Sequence, residues 1–87
     1  MSNQSESFLE LDERIGAGVV FGSKIKIKPL WFWWRGRKYQ VKKITYTWKT
    51  KKGRATLYHF AVIDENDNLF ELCYNSESLV WKILSSE

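Results

Sequence analysis

Between Arg14 and Ile63 the chain contains no Asp or Glu, although it carries ten acidic residues in all. The same stretch holds every Lys and Arg except Lys82, so a formal net charge of only +4 conceals a strongly cationic middle between acidic ends. Segregated charge creates a local field that net charge does not report. Cysteine is equally scarce. Cys73 is alone, which excludes an internal disulfide and points to a reducing compartment. His59 is the only histidine, so the ordinary imidazole and thiolate ligand sets are missing; neither a metal site nor a cofactor is expected, and the chain reads as non-catalytic. There is one proline, Pro29, and the longest near-apolar run, Leu30–Trp34, is far too short to cross a bilayer. The polar, acidic start from Met1 to Glu13 does not read as a signal peptide, and a cytoplasmic location is expected.

What the chain does have is aromatic mass. Five Trp, five Phe and four Tyr in 87 residues can bury enough area to hold together one small domain with no staple. Two segments follow from composition. Residues 1–20 read as a mobile acidic tail. Within it, Ser7 and Glu10 fit a capping box, and Phe8, Leu11 and Ile15 recur at helical spacing, predicting a short helix stopped by Gly16-Ala17-Gly18. Residues 21–87 read as a single small β domain.

The β pattern begins at Lys24-Ile25-Lys26-Ile27-Lys28, whose strict alternation puts two isoleucines on one face and three lysines on the other. Pro29 cannot donate to a ladder and marks an edge, a bend or a break. Gly36 in Trp34-Arg35-Gly36-Arg37 predicts a tight hairpin with positive φ at the glycine. In the next strand the apolar parity slips from odd (Tyr39, Val41) to even (Ile44, Tyr46, Trp48), which predicts a β-bulge at Lys42-Lys43. Thr50–Arg54 is a second turn. Ala55–Ile63 is apolar on both faces and so reads as a central strand; Asp64–Asn68 is a polar turn, followed by strands at Leu69–Tyr74 and Leu79–Leu84. The expected fold is all-β: an antiparallel meander of five or six strands, either a strongly bent sheet or an SH3-like barrel. Trp48 and Trp81 are expected in its core.

The segment Trp31-Phe32-Trp33-Trp34-Arg35-Gly36-Arg37-Lys38-Tyr39-Gln40-Val41, with Trp48 further on and Trp81 near the end, resembles a family of short bacterial β-proteins of unknown function, in which an aromatic-x-Trp-Arg-Gly-Arg-x-Tyr-x-Val hairpin is followed by a lone Trp. The likeness extends in order and spacing from about Pro29 to Leu84. It implies a compact β fold in a bacterial cytoplasm and supplies no site.

Basic residues interleaved with aromatic rings are the only constellation with a mechanism, because cations track phosphates while flat rings accept bases. The expected function is non-catalytic nucleic-acid binding, single strands favoured. Arg35, Arg37 and Lys38 at the first hairpin and Lys49, Lys51, Lys52 and Arg54 at the second would contact phosphates, with the exposed members of Trp31, Trp33 and Tyr39 as stacking platforms. The alternative is a protein-interaction module that uses the aromatic face or a sheet edge.

Overall fold

The computed structural model describes residues 9–21 and 27–87. Six strands follow in chain order: β1 (Leu9–Phe21), β2 (Ile27–Trp34), β3 (Arg37–Lys52), β4 (Ala55–Asp64), β5 (Leu69–Asn75) and β6 (Trp81–Ser86). Each pairs antiparallel with its neighbour, and β1 also pairs with β6, so the meander closes into a barrel. Of the two architectures expected, the barrel forms. The lysine alternation at Lys24–Lys26 lies outside the described residues, as does Met1–Phe8; among the described residues no helix is long and apolar enough to cross a membrane.

Closure depends on β1, which corrects the reading of residues 9–20 as a tail with a short helix. Leu9–Ile15 pairs with β6 and Gly16–Phe21 with β2, so one strand supplies both sides of the seam. Its inward residues, Leu11, Glu13, Ile15, Ala17 and Val19, recur every second position. That period was present beside the helical one, and two available strand edges decide between them. Gly18 is likewise no helix stop. A Cβ there would stand 2.2 Å from Cε2 of Trp31, so the glycine lets the indole lie directly on the backbone.

The core is a cluster of Phe32, Trp34, Phe60, Val62, Phe70, Leu72, Trp81 and Ile83. β4 lies between β3 and β5, as its two-sided apolarity predicts. The predicted bulge is at Lys42, where Val41 faces Asp64 and Lys43 faces Ile63; a second occurs at Thr45, between Ile44↔Val62 and Tyr46↔Ala61. The second bulge turns Tyr46 and Trp48 outward while Ile44 stays against the core, so Trp48 is not the core ring expected of it. Trp81 is. Leu79 sits at φ 60° in the turn before β6 and is exposed, which starts the last strand two residues later than its sequence suggests.

Both hairpins are two-residue turns. Arg35 and Gly36 take φ of 52° and 77°, the type I′ signature, while Gly53 alone is positive (61°) in the Lys52–Ala55 turn, as in type II′. The polar turn after β4 is built on Asp64. Its Oδ1 accepts from the backbone N–H groups of Asn66 (2.9 Å) and Asn68 (2.8 Å), which occupies this buried carboxylate in turn chemistry.

Candidate nucleic-acid interface

β3 carries Arg37, Lys38, Lys42, Lys43, Lys49, Lys51 and Lys52, all exposed, and no carboxylate. Among the described residues only Lys42 of these is ion-paired, to Asp67 at 2.6 Å, a contact that raises its pKa. Antiparallel partners share a face, so the ladders show which way each side chain points. Trp33↔Lys38 and Trp31↔Gln40 place both tryptophans on the outer face with Lys38. Further along the strand, Lys43↔Ile63, Tyr46↔Ala61 and Trp48↔His59 continue that face beyond the bulges. The outside of β3 therefore presents Lys38, Lys43, Tyr46, Trp48 and Lys52 in succession. Lys49 and Lys51 point to its other side, where Lys49 Nζ stands 5.6 Å from the Tyr58 ring and Lys51 Nζ donates to Thr56 Oγ1 at 3.3 Å.

The expected phosphate contacts do not form one cluster. Arg37 and Lys38 lie at one end of β3, and Lys49, Lys51, Lys52 with Arg54 at the other, roughly 35–50 Å of strand away at about 3.3 Å per residue. Arg35 is already engaged. Its Nη2 donates to Glu13 Oε2 at 2.7 Å and its Nε to Oε1 at 3.2 Å, while Trp34 Nε1–H donates to the same Oε1 at 2.8 Å. These hydrogen bonds, from Arg35 first and Trp34 second, hold the Glu13 carboxyl below its ordinary pKa, and Glu13 raises that of Arg35. Arg35 is thus a tie between the first hairpin and β1 rather than a free cation.

The expected stacking rings also divide. Tyr39 is no platform: it stacks on Phe32 at 5.1 Å with only 10° between planes and meets Phe70 edge-on, because its parity points into the barrel. Trp31 rests on Gly18, with Lys38 Nζ 4.8 Å from its ring centroid. Trp33 is open to solvent at 47%. Two rings outside the expected set join it, Tyr46, exposed at 66%, and Trp48 5.4 Å from it. Alternation with Thr45 and Thr47 was the signal for one aromatic face here, but sequence cannot say which face is outside once two bulges intervene.

Beneath Trp48 lies the buried His59, stacked at 4.9 Å and 8°. His59 Nδ1 is 3.2 Å from Glu71 Oε2 and Nε2 is 2.9 Å from Thr50 Oγ1. In the neutral ring, Nδ1–H donates to the carboxylate and Nε2 accepts from the hydroxyl. The hydroxyl–imidazole–carboxylate order is that of a hydrolytic triad, yet here the imidazole is covered by an indole and the hydroxyl belongs to a residue within a strand. The arrangement reads as a polar clasp that fixes Trp48 over β4. Cys73, opposite His59 on β5, is buried, and that burial, with the Glu71 charge second, pushes its thiol pKa up, away from nucleophilic use.

Comparison with protein-family models, curated proteins and solved structures finds no match.

Proposed function

We propose that the chain is a non-catalytic module that binds single-stranded nucleic acid along β3. The observation that carries this reading is a run of exposed cations on one long strand, free of carboxylates, with Tyr46 and Trp48 exposed or half-exposed among them. Cations spaced along a strand fit a flexible polyanion, and flat rings between them accept unpaired bases without requiring a sequence. Lys38, Lys43, Lys49, Lys51, Lys52 and Arg54 contact phosphates in this reading; Trp33, Tyr46 and Trp48 stack. Arg35 and Tyr39, given to the fold, do not take part.

Salt tests it. If about five phosphates are neutralised, log affinity for a single-stranded oligonucleotide falls with log salt at a slope of about −3.5. Fluorescence anisotropy at several salt concentrations measures that slope, and absence of binding at low salt retires the reading. A protein-interaction reading rests on a different surface, the open seam between β2 and β3.

A further inference from the structure

The β2–β3 ladder runs only from Trp31↔Gln40 to Trp34↔Arg37, although β2 begins at Ile27 and β3 continues to Lys52. Among the described residues, β3 beyond Gln40 is paired to β4 alone, and Ile27–Pro29 to β1 alone. The two strands part around a groove of about 1110 Å³. Val41, Ile44 and Phe60 contribute apolar lining; Lys28, Lys42, Lys43 and Lys49 supply charge, and among the described residues no carboxylate lines it. Of these lysines Lys42 is paired to Asp67, and the other three are not ion-paired among the described residues.

An unpaired strand edge is a template for another strand, and lysines along it discourage neutral or basic strands. They do not discourage an acidic one. The groove offers two things that a sugar–phosphate chain leaves unused: an apolar floor and a row of main-chain amides without partners among the described residues. An extended peptide uses both, placing alternate side chains in the floor while its own amides complete the ladder. We propose that this groove takes an extended peptide in which apolar residues alternate with Asp or Glu, added as a strand to the free edge of β3 between Val41 and Lys49. The edge of β2 is the poorer template, because Pro29 has no N–H.

The test uses the whole chain, labelled with ¹⁵N, and a short end-blocked peptide alternating Val and Glu. Binding should slow hydrogen exchange at those amides between Val41 and Lys49 that do not bond to β4. The same peptide N-methylated at every second residue loses the ladder and should bind at least about tenfold more weakly. Thr47→Glu, at an exposed position in the groove, should weaken the unmethylated peptide by about tenfold through like-charge repulsion without touching the core. Equal affinity for the methylated peptide, no binding of either, or the same amide protection produced by a thymidine oligonucleotide would each overturn the proposal. The nucleic-acid reading fails separately. A Lys51→Gln, Lys52→Gln, Arg54→Gln variant should bind the peptide as the parent does, whatever it does to oligonucleotides.

Discussion

The two basic hairpins of this barrel look alike in sequence and sit in different surroundings. Arg35-Gly36-Arg37 and Lys52-Gly53-Arg54 are each a glycine between cations at a two-residue turn. In the first, Trp34 is buried in the core, its indole N–H and the Arg35 guanidinium both hold Glu13 of β1, and Tyr39 packs on Phe32. In the second, Lys51, Lys52 and Arg54 are exposed, and among the described residues only the Lys51 side chain is bonded, to a threonine hydroxyl. A cation's sequence neighbourhood therefore does not say whether it is available to a ligand. What decides is whether the barrel brings a carboxylate opposite it: β1 brings Glu13 to the first hairpin, and among the described residues none reaches Lys51, Lys52 or Arg54 of the second.

The widest separation between the hairpins should appear on removing Trp34. Trp34→Ala leaves a cavity among Phe70, Tyr39 and their neighbours and should cost about 3–5 kcal/mol, enough to threaten folding of a domain this small. Urea unfolding followed by circular dichroism measures it; a midpoint close to the parent's would place Trp34 outside the core. By contrast, replacing Lys51, Lys52 and Arg54 together by Gln should leave stability within about ±0.5 kcal/mol and act on binding instead. Three lost phosphate contacts should reduce the magnitude of the single-strand salt slope by about 2. An unaltered slope would remove the second hairpin from the phosphate-binding surface.

The smallest effect tests the tie itself. Glu13 has a folded pKa below its unfolded one, so its contribution to stability is complete above the unfolded value and is lost as pH falls through the folded value. Glu13→Gln should therefore lower Tm slightly at neutral pH and not at all once the parent's Glu13 is protonated in strong acid. Over the same acid window the Trp34 indole N–H resonance of the parent should shift, which NMR would follow. A Tm difference that persists unchanged into strong acid would assign the effect to packing rather than charge.

Much of the fold was legible. Gly36 at positive φ, the bulge beside Lys42, the central position of β4 and the Asp64 turn all followed from local rules: handedness at glycine, the period of two, and side-chain capping. The site was only half legible. Charge segregation located the cations on β3 and both hairpins, but Arg35 was spent on Glu13 and Tyr39 on the core, while Tyr46 and Trp48 emerged as the outer rings.

By itself the sequence determined the class of fold, the turns and the sign of the field, because each depends on residues within a few positions of one another. Closure was decided by tertiary structure, since a strand that pairs on both sides gains hydrogen bonds and burial unavailable to the isolated Leu9–Phe21 segment, whatever helical spacing it contains. So was the choice of exposed ring. Every bulge reverses which face meets water, and the second bulge at Thr45 exists only in register with β4, twelve or more residues further along the chain.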